Sequence, residues 1–544
     1  MKKYTLLLPV LACIGISACQ KNVVEKQPLE FVNDDLVFDK LDSLGVYAEK
    51  YLYNVYSDLP NGFNRINSNI LDAGADDALP SSNSDIVNYF SNGIWSPYNL
   101  PDNRWDQCYG AIQKVNLFLS KIDQVPLKTA GLKDQWKNEA RFIRAISYFE
   151  LIKRWGGVPL VGDKVFDLTS DLAFTRNSYT DCVKYITTEV DTAVKYLPAS
   201  YATAYFGRAT KGAAMALKAR VLLYAASELN NPDHSTDKWI AAANAAQDVM
   251  NLGTYSLTTA FDDPYMKRKT SETILAFMTG QGYTVEIQNG PIGSKRGDLG
   301  RTNPTQELVN EFEMANGKMI SDATSGYNPA APYTGRDPRF YLTVFHNGMS
   351  WLSRNVETFD GGIDRPQGFG KATSGETRTG YYMRKFLSTA GTTSSYTSTD
   401  HCFPIFRYSE ILLNYAEAAN EAYGPVKGVY DAIEAVRKRA KLNPYTLPTG
   451  LTQDQMRQRI RHERRVELAF EEHRFWDIRR WKIAETVLNQ PLHGIQITKA
   501  TDGTLSYQVV EAATTKFQAD RMYLYPIPYK ELLSNTNMRQ NPNW

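Results

Sequence analysis

Flat aromatic side chains set among amides are the residues of this chain whose chemistry is easiest to name. Tyr89, Phe90, Trp95 and Tyr98 lie in a polar, turn-rich stretch with Asn83, Asn88, Asn92 and Asn99, while Tyr283, Tyr327, Tyr333 and Trp351 lie in a glycine-rich one. A sugar ring offers apolar C–H faces rimmed by hydroxyls, so aromatic platforms beside amides and carboxylates suit a carbohydrate. Most aromatics in any protein are core residues, and each of these rings also has that plain packing role open to it.

Motifs for covalent or metal chemistry break down one by one. His462-Glu463 begins like a zinc-protease helix, but Val466 stands where the second histidine is needed. The segment Arg365 to Thr373 holds Gly370-Lys371, yet Arg365 and Ala372 occupy the glycine and hydroxyl positions of a phosphate loop. Ser235-x-x-Lys238 falls in a polar turn between helices, and there is no Gly-x-Ser-x-Gly. Carboxylates are too numerous, at 59, to nominate a glycosidase pair, whose separation is spatial. In the arginine-rich run from Arg457 to Trp481, Glu463, Glu467, Glu471, Glu472 and Asp477 interrupt the basic residues. That pattern argues against a nucleic-acid stripe and for arginine–glutamate bridges between helices.

Charge and composition narrow the partners further. Lys+Arg number 61 against Asp+Glu 59, and loss of the first eighteen residues, with Lys2 and Lys3, leaves 59 of each. A chain with no net charge is ill suited to general nucleic-acid binding. An apolar content of 43 % with 12 % aromatic excludes a disordered or collagen-like chain. Residues 1–18 read as a signal peptide: Lys2-Lys3, then a mostly apolar run from Tyr4 to Ser17 that falls short of the about 20 residues a bilayer requires. Ile16-Ser17-Ala18-Cys19 resembles the lipobox of bacterial lipoproteins, so Cys19 is expected to carry lipid, each buried methylene contributing about 0.8 kcal/mol to anchoring. Gln20 after the cysteine, in place of Asp, argues against inner-membrane retention. Cys108, Cys182 and Cys402 remain, an odd number that predicts no disulfide framework.

These residues need a scaffold, and the periodicity is helical. Helices are expected over Leu44 to Tyr56, over Asp134 to Trp155 with a stop at Gly156-Gly157, over the small-faced run Ala213 to Leu229, and over Phe406 to Tyr423. Thr452 and Gln455 form a capping box that starts a further helix, expected to run through Arg457 to Trp481. The fold class is mainly α, in the style of irregular tetratricopeptide-like hairpins. Between 281 and 400 the composition changes: this stretch holds 16 of the 35 glycines, and nine of the twelve residues from Ser388 to Thr399 are Ser or Thr. It predicts a loop-rich, partly β insertion, where binding chemistry usually sits. The expected organisation is one domain, 19–544, with a helical part at 19–280, the insertion at 281–400, and a helical part and tail at 401–544.

Several segments together resemble the SusD/RagB-type outer-membrane lipoproteins. They are Glu139 to Leu160, Arg336-Asp-Pro-Arg-Phe340, Phe406 to Glu421, His462 to Trp481, and Tyr525-Pro-Ile-Pro528 with Gln540-Asn-Pro542, in the family's order. The resemblance implies four tetratricopeptide-like helix pairs as scaffold and a loop-rich ligand face. It implies a non-catalytic binder of oligosaccharide, or in some members peptide, that partners a SusC-like TonB-dependent transporter at the outer membrane, facing the cell surface. It names no cofactor, and a structural calcium ion in a loop stays open. Because the family's signature segments are scaffold, ligand residues are chosen here by chemistry and position: Trp95, Tyr98, Asn99, Tyr283 and Trp351, with the acidic pair Asp76-Asp77. Two other classes stay open on the residues alone: a lipid-anchored glycoside hydrolase and a helical module that binds only protein.

Overall fold

The computed structural model describes residues 34–544 apart from 168, 294–296 and 371–374, so the leader and Cys19 lie outside the described residues. It is 40 % helix and 11 % strand. After α1 (Val46–Tyr56), eight helices make four packed pairs in chain order: α2 (Trp105–Lys121) with α3 (Leu132–Trp155), α4 (Tyr179–Ala193) with α5 (Lys211–Ala226), α6 (Thr236–Asn251) with α7 (Tyr408–Tyr423), and α8 (Lys427–Arg439) with α9 (Gln453–Glu467). Successive helices also touch across pairs, α3 on α4, α5 on α6 and α7 on α8, which makes one stacked array.

Local sequence explains the boundaries. Gly156, at φ 73°, closes α3, and a Cβ on Gly157 would lie 2.1 Å from the Asn177 carbonyl oxygen. The Ser178 and Thr210 side chains accept from the backbone N–H groups of Asp181 and Ala213 to start α4 and α5, and the expected Thr452–Gln455 capping box starts α9. Helix α5 is apolar almost all round, with Ala213, Ala214, Ala216, Ala219 and Ala226 buried, because it is packed by α4, α6 and α7 at once.

The array is interrupted between α6 and α7. Strand β2 (Thr273–Met278), which follows β1 (Ala78–Pro80), pairs antiparallel with β4 (Cys402–Arg407), Met278 opposite Cys402. The loop-rich excursion therefore leaves and returns at one place, and α7 begins at the next residue. Within it β3 (Thr302–Pro304) pairs with β1. A long hairpin of β5 (Pro491–Lys499) and β6 (Leu505–Thr514) follows the helices. The tail then packs back on α3: the Trp155 indole donates to the Pro526 carbonyl at 2.9 Å, and Asn541 donates to the carbonyls of Trp155 and Tyr525.

The expected helix from Arg457 to Trp481 is broken. Helix α9 ends at Glu467, Phe470 and Glu472 take left-handed φ values of 65° and 63°, and α10 (His473–Arg480) starts afresh. Buried cations hold the break. Lys385 donates to the carbonyls of Glu467 and Ala469 at 3.1 and 2.9 Å and to the Glu471 carboxylate at 2.6 Å; Arg407 donates to the Glu467 carbonyl at 2.8 Å. These groups satisfy the carbonyls a helix C-terminus leaves open. Around them, Arg407 reaches Glu272, Glu467 and Glu471, Arg439 reaches Glu272 and Glu467, and Arg339 of the Asp-Pro-Arg element reaches Glu463 and Glu467 at 2.6 and 3.0 Å. The arginine–glutamate bridging expected between helices is thus present, and it ties the insertion to α8 and α9.

Candidate functional site

The predicted site residues divide by burial. Trp95 is 1 % exposed and packs against Phe90, Tyr525 and Trp544 with centroids 5.3, 5.2 and 4.7 Å away. Trp351 is 2 % exposed, edge-on to Phe345 at 4.7 Å. Neither indole presents a face to a ligand; both are core, because the largest apolar surfaces gain most from leaving water. Asp76 and Asp77 come together but are buried beneath Arg465 and Arg474: Arg465 lies 3.0 Å from Asp76 and 2.7 Å from Asp77, and Arg474 lies 2.6 Å from Asp76. Burial raises the Asp76 carboxyl, yet Arg474 and Arg465 outweigh it and hold it well below the usual carboxylate range. Burial, opposed by Arg465 and reinforced by the Asp76 charge, pushes Asp77 up. The pair clamps α9 and α10 to the β1–β3 layer, since the Asp76 and Asp77 carbonyls also accept from Thr305. It is a structural ion cluster, and the ligand role expected for it is withdrawn along with those of Trp95 and Trp351.

Tyr98, Asn99 and Tyr283 stay at the surface. Tyr98 is 74 % exposed and stands 4.5 Å from the ring of Tyr529 in the tail. Asn99 accepts from Ser96 Oγ at 2.5 Å and donates to the Ile94 carbonyl, so its amide shapes the turn that displays Tyr98. Tyr283 belongs to a different surface, 47 % exposed and stacked with Tyr396 at 6.3 Å and 25° between planes. Sequence reasoning passed over Tyr396, although its signal was visible: it is the one aromatic ring in the Ser/Thr-rich run 388–399.

The base beneath Tyr283 and Tyr396 is rigid. Gly282 and Thr399 exchange two backbone hydrogen bonds of 3.0 Å, which sets the two loops side by side. The Tyr396 hydroxyl donates to Asp298 at 2.9 Å, and a Cβ on Gly290 would lie 2.7 Å from that hydroxyl oxygen, so only glycine fits. The short helix Thr284–Asn289 behind Tyr283 is anchored by Glu286, which accepts from the Ser388 N–H at 2.8 Å and meets His401 Nε2 at 2.6 Å. Asn289 bonds Thr302 and Asn64, linking this helix to β3 and to the loop before β1. Arg354 binds Asp364 through two contacts of 2.7 Å, and Asp364 accepts from the Gly293 N–H at the same distance. Side chains facing outward here, Gln281, Tyr283, Thr284, Ser394 and Ser395, are one ring, hydroxyls and an amide. Such a surface can stack on a sugar ring and hydrogen-bond its hydroxyls without any covalent step. Among the described residues no cluster of three or more His, Cys, Asp and Glu is arranged to hold a metal ion.

Known proteins similar to this chain agree with that architecture. A family model described as "SusD family" matches residues 263–544, and one described as "Starch-binding associating with outer membrane" matches residues 39–223. SusD-like protein P2 of Formosa agariphila is 24 % identical over 582 aligned residues, covering 99 % of each chain. Among solved structures, a SusD-like protein from Bacteroides fragilis superposes with a TM-score of 0.80 at 27 % identity, covering 95 % of this chain and 100 % of that one. A SusD-like carbohydrate binding protein from the same organism gives a TM-score of 0.76 at 25 % identity, over 91 % of this chain and 99 % of its own. With the four helix pairs, the interrupting loop-rich excursion and a family model over more than half of its residues, the chain belongs to the SusD family.

Proposed function

We propose that this protein is a non-catalytic, lipid-anchored glycan binder of the outer membrane, which captures oligosaccharide on the Tyr283–Tyr396 surface and passes it to a SusC-like TonB-dependent transporter. The observation that carries the reading is the exposed Tyr283 ring stacked with the half-buried Tyr396 on a loop base fixed from several sides. Stacking on preorganised rings costs little ordering entropy on binding, so weak, reversible capture suits it and handover remains easy.

Calorimetric titration of the mature protein against a panel of neutral oligosaccharides tests the site. Tyr283→Ala is expected to weaken the best-bound glycan about tenfold without moving the melting temperature, since one ring stack is worth roughly 1 kcal/mol or slightly more. Unchanged affinity in Tyr283→Ala and Tyr396→Ala would remove this surface from the site. For the handover, Cys19→Ala is expected to release the protein from membranes and to end its co-purification with a TonB-dependent barrel; absence of any barrel partner of the wild type counts against delivery.

A further inference from the structure

A second concavity, which shares no lining residue with the Tyr283–Tyr396 surface, lies where the segment before α5, the turn after α6 and the start of β2 meet. It encloses about 440 Å³, and its lining includes Tyr201, Phe206, Tyr255, Lys269 and Ile274, a size suited to a small ligand. Two glycines allow its walls to close. A Cβ on Gly207, at φ 102°, would lie 2.5 Å from Met278 Cε, and one on Gly212 would lie 2.2 Å from the Tyr255 hydroxyl oxygen. The rings are fixed from behind: the Tyr201 hydroxyl donates to Glu139 at 2.8 Å, and the Tyr255 hydroxyl lies 3.2 Å from Thr210 Oγ1. At one edge the buried Arg208 guanidinium, neutralised by Glu139 and Glu49, sits 5.5, 5.6 and 6.0 Å from the rings of Tyr53, Tyr201 and Tyr205. Hydroxyls of Ser200, Thr254, Thr270 and Ser271 border the same opening.

Charge distinguishes this cleft from the loop surface. In the run Lys267-Arg268-Lys269, Lys267 is paired with Asp263 at 2.7 Å and Arg268 with Asp400 at 2.8 Å. Lys269 lines the cleft, and among the described residues its ammonium has only the Tyr201 carbonyl, at 3.5 Å, and the face of Phe206, at 6.0 Å. We propose that this cleft is a second saccharide site, taking a pyranose residue that carries an anionic group: the ring stacks on Phe206 and Tyr201, and the anion meets Lys269. Uronates and sulfated sugars share that chemistry.

The test titrates the mature protein with an oligogalacturonate, with its methyl ester, and with a sulfated carrageenan oligosaccharide. Binding of either anionic probe is expected, with the methyl ester at least about tenfold weaker than the acid, as befits loss of a charge-assisted contact. Lys269→Ala and Phe206→Ala are each expected to lower the affinity by about tenfold, Lys269→Arg to restore most of it, and Tyr283→Ala to leave it unchanged. Lys269 is exposed, so its replacement leaves the fold intact even if Phe206→Ala does not. The proposal is overturned if neither anionic probe binds, if the ester binds as well as the acid, if both cleft variants bind like wild type, or if Tyr283→Ala abolishes the binding. Because the loop surface is tested with neutral glycans and Tyr283→Ala, failure of one site is read separately from failure of the other.

Discussion

Around Glu467 and Glu471, Arg339, Arg407, Arg439 and Lys385 are taken out of water almost completely, each between 1 % and 4 % exposed at the side chain. Around Tyr283 and Tyr396, an exposed ring, a half-buried one and solvent-facing hydroxyls rest on a base of partly and fully buried hydrogen bonds. The first region joins the insertion to α8 and α9 and fixes where the helix break falls; the second is what that joint holds in place. Ionic side chains here carry architecture, and neutral ones form the surface proposed for recognition. Burying charges is costly unless every partner is present, so such a cluster specifies one arrangement sharply, whereas a solvated ring can change with little cost to folding.

That contrast can be broken at its strongest point first. Glu467→Ala strips a carboxylate from Arg339, Arg407 and Arg439 at once and should destabilise the protein by about 3 to 5 kcal/mol, read from urea unfolding. A loss under about 1 kcal/mol would mean that the cluster is dispensable. Two rings three residues apart sharpen the contrast next. Trp95→Ala should cost about 3 to 5 kcal/mol by opening a core cavity, while Tyr98→Ala should stay within roughly 0.5 kcal/mol of wild type. Equal effects on the melting temperature would show that exposure does not separate their roles.

Acid gives a smaller effect. Burial raises the Glu417 carboxyl, but Arg480, 2.7 Å away, and the Trp481 indole hold it down at about 2 against an ordinary 4.5. A carboxyl that is more acidic in the folded than in the unfolded chain contributes stability that is complete above the unfolded value. It is lost as pH falls through the folded one. Stability measured by denaturant at several pH values should therefore fall between pH 4.5 and about 2, and Glu417→Gln should make that limb shallower. A limb of unchanged slope in the variant would assign acid sensitivity to other groups.

Helices α3, α5 and α7 and the start of α9 were legible in the sequence, because small and apolar residues recur at helical spacing and Gly156 and Thr452 mark ends by local chemistry, whereas α2, α4, α6 and α8 emerged only with the structure. The break after Glu467 was not legible. Its cause is Lys385 and Arg407, respectively 82 and 60 residues earlier in the chain, and no local pattern announces a capping cation that distant. Ring identity likewise located aromatic-rich stretches but not their orientation: Trp95 and Tyr98 share one turn-rich segment, and one is core while the other is the most exposed of the expected rings.

What the sequence determined by itself was whatever depends on neighbours along the chain: helix spacing, caps, the change of composition that marks the insertion, and the ordered segments that resemble one family. Only the tertiary structure decided which carboxylates are clamped by arginine and which rings keep a face in water. Burial and ion pairing are set by groups hundreds of residues apart, as with Asp76 and Arg474, and their energies exist only once those groups have been brought together.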